Sequence, residues 1–208
     1  MIAAMTAPLP TDRQRFIADV AAQLFRQQGY RETTVRDIAA AAGVKSASLY
    51  YHFPTKDHIL HAISLNIMEE FLAEVTSVLD ADNDPVKAIR AVVAAHLAFD
   101  AARVNEVLVS ARERRSLPPD LQQPVNAARA RHQHALSNVV AAGVQSHQFK
   151  VDDVEIATNA VLDMLQGVKE WGRHLFVDLD RLIGQYQGLV LAALGADSGG
   201  DTRDNRQT

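Results

Sequence analysis

The chain has 208 residues, 48% hydrophobic and 22% charged, and its 21 lysines and arginines against 25 acidic residues leave a formal net charge of −4. That length holds one to two domains with a buried core, and the composition excludes a disordered or collagen-like chain. Cysteine is absent, which excludes disulfides, thiolate-held metals and a thiol nucleophile, while the acidic balance gives no sign of a nucleic-acid partner. The first residues, MIAAMTAPLPTDR, carry no basic residue before Arg13 and too short an apolar run for a secretory signal. No run approaches the ~18 apolar residues of a membrane span, so a cytoplasmic protein without a membrane partner is expected.

Helical periodicity dominates the chain. Residues 1–10 form a flexible arm, after which Phe16, Ile17, Val20, Ala21, Leu24 and Phe25 repeat as one stripe of a 3.6-residue helix that Gly29 ends. Thr33 and Thr34 are placed to cap a second, short helix over 35–42, which Gly43 closes. A third segment, Ser46 to Phe53, stops before Pro54. From about Thr55 a longer helix runs to Leu79, and Asp82 to Pro85 break it. Further helices are expected from Pro85 to about Asp100, Arg103 to Ser116, Leu121 to Gln145, Asp152 to His174 and Asp178 to Leu194, with Pro124 marking a start or a kink. The polar tail 195–208 is expected to be disordered.

The most informative stretch is TTVRDIAAAAGVKSASLYYHFPTKDHIL. Val35, Ile38, Ala39 and Ala42 make one face of a short helix, and Ala39 is small enough for a second helix to cross closely. Gly43 permits a left-handed turn, and Leu49 and Phe53, four apart, anchor the second helix. Its other face offers Ser46, Ser48, Tyr51 and His52, flanked by Lys45 and Lys56. Short polar groups suit base edges, and Tyr hydroxyls and ammonium groups suit phosphate oxygens. On spacing alone, a helical hairpin with a polar outer face is the alternative.

The run from Thr33 to Leu60, preceded by LFRQQGYRETT, resembles the DNA-binding domain of the tetracycline-repressor (TetR) family of bacterial regulators. The elements in register are Ala22, Leu24-Phe25, Gly29-Tyr30, Thr34-x-x-Asp37-Ile38-Ala39, Ala42-Gly43-Val44, Leu49-Tyr50-Tyr51-His52-Phe53, Lys56 and Leu60. The resemblance implies phosphate contacts from Thr33 and Thr34 at the start of the second helix and from Tyr50, Tyr51, His52 and Lys56. It places Lys45, Ser46, Ala47 and Ser48 nearest the bases of a double-stranded operator. One departure stands out: the family often sets Ser directly after the Val of the turn, where this chain has Lys45. Charge agrees with the placement, since residues 11–60 carry seven basic and five acidic side chains, a net of +2, and the remainder carries −6.

A single helix-turn-helix reads few base pairs, and such proteins commonly act as two-fold dimers on half-sites about 34–36 Å apart. The segment Leu182 to Leu194 is nearly uncharged, and Ile183, Gly184, Gly188 and Leu191 are candidates for a homodimer interface, an intramolecular contact being the alternative for the glycines. The resemblance favours dimerisation and implies that helices between Pro85 and His174 enclose an effector pocket. Candidate lining residues are His96 and Asp100, four apart on one face, Arg112 and Arg115, and Asp163, Met164 and Trp171. Each has a plain reading beside it: a core histidine, a solvated basic helix end, or core apolar packing.

The segment ERRSLPPDL, Glu113 to Leu121, is similar to TetR relatives that control fatty-acid or sterol breakdown and answer to acyl-coenzyme A thioesters. That implies an acyl-CoA or another apolar acid as the small-molecule effector, with drug-like aromatic effectors left open. No HExxH, P-loop, GxSxG or dinucleotide fingerprint occurs, and no cofactor, metal or catalytic residue is expected. The sequence thus reads as an all-α protein: an N-terminal three-helix helix-turn-helix domain over 11–60 and a C-terminal helical ligand-binding and dimerisation domain over 61–194. The expected function is a ligand-responsive repressor. A constitutive architectural DNA-binding protein and a helical enzyme are the alternatives.

Overall fold

The computed structural model describes residues 11–79, 83–171 and 177–196. The expected arm, 1–10, and the tail beyond 196 lie outside the described residues. Helix α1 (Asp12–Gln28) starts at Thr11, whose hydroxyl accepts the Gln14 N–H while the Gln14 side chain accepts the Thr11 N–H, a reciprocal capping box. It ends at Gly29, whose φ of 91° would strain any residue with a Cβ. Helix α2 (Val35–Ala41) repeats the device, with Thr34 as cap and Asp37 as its partner. Gly43 takes φ 64°, and the Val44 N–H then closes back on the Ala39 carbonyl at 2.9 Å. Helix α3 (Ser46–His52) begins at Lys45 without a side-chain cap. Helix α4 runs over Lys56–Leu79.

Beyond the break come α5 (Pro85–Ala102), α6 (Val104–Glu113), a single 3-10 turn (Arg114–Ser116), α7 (Pro119–Gln145), α8 (Val154–Gly167), a second 3-10 turn (Val168–Trp171) and α9 (Leu179–Ala193). Pro85 opens α5 behind Asp84, whose carboxylate accepts the Val86 and Lys87 N–H groups. Pro124 lies inside α7 and neither starts nor ends it. The helix expected as far as His174 instead leaves α-geometry at Gly167, a poor helix former, and residues 172–176 lie outside the described residues.

The chain forms two compact units. Among the described residues, the first comprises 11–69 and 103–127 and the second 70–79, 83–102, 128–171 and 177–196, so α4 and α7 each contribute to both. The first unit is centred on Ile17, Ala21, Phe25, Ile38, Leu49, Ile59 and Leu60, and Val109, Leu117 and Val125 complete that core. A single boundary at residue 60 therefore does not describe the packing. Three short helices bury little apolar surface alone, and α6 with the head of α7 supplies the missing side. In the second unit Phe71, Val75, Ile89, Val92, Leu97, Leu136, Val140, Val161, Leu165, Val190 and Leu194 are buried.

The end of α7 depends on one glycine. The Gly143 carbonyl accepts the Gln148 and Phe149 N–H groups, and a Cβ on Gly143 would sit 2.0 Å from the buried Phe149 ring. Gly143→Ala must push that ring out, with an expected destabilisation of about 1–3 kcal/mol. Thermal melts check this: restoration by Gly143→Ala combined with Phe149→Leu supports the clash, and a wild-type melt for the single variant contradicts it.

Candidate nucleic-acid interface and effector site

The first unit presents α3 on a rigid base. Leu49 and Phe53 are buried beside Ile38 and Ala39, which fixes the rotation of α3 and turns its other face outward. Lys45, Ala47 and Ser48 are exposed and Ser46 and His52 half-buried. Tyr51 is 87% exposed and Tyr50 50%. Two tyrosines left in solvent by an anchored seven-residue helix form a surface with both apolar bodies and hydroxyl tips. The Tyr51 and His52 rings meet edge to face at 5.4 Å.

Thr34 is also exposed, and its hydroxyl donates to Asp37 at 2.7 Å. The side-chain and backbone hydrogen bonds from Thr34 hold the Asp37 carboxyl below its ordinary range. Thr33 departs from expectation: it is fully buried and its hydroxyl donates to the Gly29 carbonyl at 2.8 Å. It builds the turn between α1 and α2, and its side chain is closed to phosphate.

Lys56 has a second task besides the one its charge suggested. Its ammonium donates to the carbonyls of Tyr30 at 2.6 Å, Thr33 at 2.9 Å and Arg31 at 3.2 Å, and it sits 4.4 Å from the centre of the Tyr30 ring. The Tyr30 hydroxyl in turn donates to Asp57. Burial first, and the bonded Asp57 carboxylate second, raise the Tyr30 pKa, so the phenol stays protonated. The start of α4 is thus tied to the turn that carries Thr34.

In the second unit, His96 and Asp100 are both buried on α5, as their four-residue spacing placed them. His132 of α7 joins them. Ala128, His132, Leu136 and Val140 are all buried at four-residue spacing, and that stripe was the signal that could have found it. Phe71 packs against both imidazoles, at 4.9 Å from His96 and 4.8 Å from His132. Desolvation first, and nearby positive charge second, lower the pKa of His96 and hold His132 at about 4. Burial raises Asp100 to about 6 against the opposing pull of Lys169. The 3.7 Å between His96 Nε2 and Asp100 therefore joins a neutral imidazole to a carboxyl, not two charges.

These shifts set opposite pH trends. A buried histidine with a lowered pKa stabilises the fold fully above about pH 6.5 and loses that contribution as pH falls through its folded value. Asp100, with a raised pKa, stabilises below its unfolded value of 3.8 and loses this as pH rises through about 6. His132 and Asp100 are each worth about 3 kcal/mol and nearly cancel, which leaves His96 to decide the sign. The melting temperature is expected to fall between pH 6.5 and pH 4.5, and His96→Phe to flatten that fall. Equal slopes in the two proteins would contradict it.

The other candidate residues do not join this cluster. Arg112 and Arg115 are exposed and belong to the first unit, because the apolar face of their segment is spent on the core around Ile17 and Phe25. Asp163 is exposed on α8 and Met164 half-buried, while the Trp171 side chain lies outside the described residues. An open groove of about 520 Å³ between α4 and α7, with Leu72, Thr76, Arg131 and His134 on its walls, takes in none of the candidates. Of the residues proposed for dimerisation, Leu191 is buried in its own unit, since it follows Val190 into the core. Ile183 is half-buried and Gly184 and Gly188 are exposed. A Cβ on either glycine would meet nothing within 4 Å, so neither serves a close approach inside the described chain.

A capped positioning helix, a glycine turn and an anchored helix with a polar, tyrosine-tipped face define a helix-turn-helix DNA-binding protein. The family profile for bacterial regulatory proteins of the tetR family matches residues 17–63, and that for the tetracyclin repressor-like C-terminal domain matches 82–174. The HTH-type transcriptional repressor KstR2 of Rhodococcus jostii is 28% identical over 187 residues, 88% of this chain and 92% of the relative. The TetR family regulator PfmR of Thermus thermophilus is 32% identical, with a TM-score of 0.78 over 85% of this chain and 97% of that one. AibR, solved in complex with isovaleryl coenzyme A and operator DNA, shares the fold at 24% identity, with a TM-score of 0.79 over 89% and 100% of the two chains. The chain belongs to the TetR family of bacterial regulatory proteins and is a DNA-binding transcriptional regulator. Among the described residues, no helix is long and apolar enough to cross a membrane.

Proposed function

We propose that this chain is a cytoplasmic, non-catalytic repressor that binds a palindromic operator as a homodimer and leaves it when an acyl-CoA or related apolar molecule occupies the second unit. The observation that carries the reading is the solvent-facing surface of α3, where Lys45, Ala47, Ser48, Tyr50 and Tyr51 are exposed over the buried anchors Leu49 and Phe53. Lys45, Ser46, Ala47 and Ser48 face the bases, Thr34, Tyr50, Tyr51 and His52 hold the phosphates, and Lys56 adds its charge beside them. The repressor name of the Rhodococcus relative supports the sign of regulation, and the coenzyme A thioester bound by AibR supports the effector class.

Dimerisation rests on α8 and α9. Ile156 and Leu189, at 68% and 54% exposure, and the open glycines Gly184 and Gly188 give two adjoining helices an apolar, closely approachable face. Effector binding acts by shifting the population of head separations away from the one that matches the operator. The test is selection from randomised duplex DNA with the full chain, followed by light scattering of the complex. An inverted repeat bound by an even number of chains, and released by decanoyl-CoA, is expected. Recovery of asymmetric single sites bound by one chain would contradict the dimer, and binding indifferent to decanoyl-CoA would favour a constitutive architectural protein.

A further inference from the structure

The second unit holds a group of polar atoms that DNA binding does not use. Phe71 of α4, His96, Phe99 and Asp100 of α5 and His132 of α7 meet in one cluster. The two imidazoles lie 6.3 Å apart, and Phe71 contacts both of them and, at 5.1 Å, Phe99. Among the described residues, His96 Nδ1, Asp100 Oδ2 and His132 Nε2 are buried without a hydrogen-bond partner. Native interiors leave only a few such atoms per hundred residues, and they are seldom gathered in one place. Three in one cluster beside aromatic rings point to a polar partner that reaches them. No group of three or more His, Asp or Glu among the described residues is arranged to hold a metal ion.

We propose that this cluster is the polar end of the effector site and accepts an uncharged oxygen, a hydroxyl or a carbonyl, on an apolar body, while rejecting a free carboxylate. The inference rests on the proposed function in placing the effector in the second unit. A neutral imidazole offers one N–H and one bare nitrogen, so two of them serve an oxygen that accepts, donates or does both. The aromatic walls receive the apolar body. Charge sets the exclusion: a ligand carboxylate would enter beside Asp100 in a low-dielectric interior. Each cation that faces the cluster already has a partner of its own. Lys169 acts on Asp100 and Glu170, and the Arg129 guanidinium donates to the Gln166 side chain at 3.1 Å.

The test uses calorimetry on the full chain at pH 7.5 with three probes of one chain length: 1-decanol, 2-decanone and decanoate. The alcohol and the ketone are expected to bind at least tenfold more tightly than decanoate, and a His96→Phe, His132→Phe double variant to reduce that preference below twofold. Asp100→Asn is expected to strengthen decanoate binding at least tenfold, and it serves with the wild-type ranking should the double variant not fold. Tighter or equal binding of decanoate, failure of all three probes to bind, or a preference that survives in a folded double variant overturns the proposal. If decanoyl-CoA still releases the operator in any of those cases, the repressor reading stands and only the assignment of this cluster falls. If no operator is selected at all, the underlying function itself is refuted.

Discussion

Replacing Tyr51 by alanine is expected to weaken operator binding tenfold or more without changing thermal stability. The side chain is 87% exposed and its ring touches only its neighbour His52 among the ring contacts of the described residues, so its removal opens no cavity. A specific contact on duplex DNA is worth about 1–3 kcal/mol, and loss of one per protomer acts twice in a two-fold complex. If the hydroxyl sits on a phosphate, the loss is nearly uniform across operator sequences. If the side chain reads a base, preference relaxes at one position of each half-site. Fluorescence anisotropy on the selected operator, beside a thermal melt, separates the two contributions. Unchanged affinity would remove α3 from the interface.

Lys56→Met gives the complementary result, a large loss of stability. The ammonium serves three carbonyls at the turn between α1 and α2, and hydrogen bonds to a charged group contribute about 1.5–3 kcal/mol each. Part of this cluster is exposed, so the sum is discounted for solvent screening, and about 3 kcal/mol is the expected destabilisation. The Met substitution keeps the apolar stem over the Tyr30 ring and removes only the ammonium. Denaturant unfolding measures the stability. Operator binding measured well below the melting point then shows whether the same ammonium also touches phosphate: a shallower dependence of affinity on salt, by roughly one unit of slope, means that it does. A stability change below about 0.5 kcal/mol would show that the turn does not depend on Lys56.

The sequence was most readable where local chemistry decides the structure. Thr34 with Asp37, Gly29 and Gly43 announce helix ends through capping and positive φ, and Leu49 and Phe53 announce an anchored face through their spacing. Each was visible within a window of four residues. Thr33 was misread because two adjacent threonines satisfy the same capping rule, and only the fold decides that one of them turns inward to Gly29. The packing of segment 103–127 with the first unit was not legible for a related reason. Its apolar residues Leu108, Val109, Leu117 and Val125 specify burial, but nothing local says whether they pack on α1 or on α5. His96 and Asp100 could be paired by spacing on one helix, whereas His132 meets them only through the packing of α7, a relation between residues 36 positions apart. The overall charge of −4 misled in the same way, since it averages a basic reading head and an acidic body whose fields act on different partners.

The central claim is that one chain couples a DNA surface on the first unit to an effector site in the second. Thermodynamic linkage makes that claim directly measurable. Operator affinity is to be measured with and without saturating decanoyl-CoA, and decanoyl-CoA affinity with and without saturating operator, on the same full-length protein at one salt concentration. The result expected is a weakening by the same factor in both directions, of about five- to 150-fold for a coupling of 1–3 kcal/mol. Equal decanoyl-CoA affinities for free and operator-bound protein would contradict it.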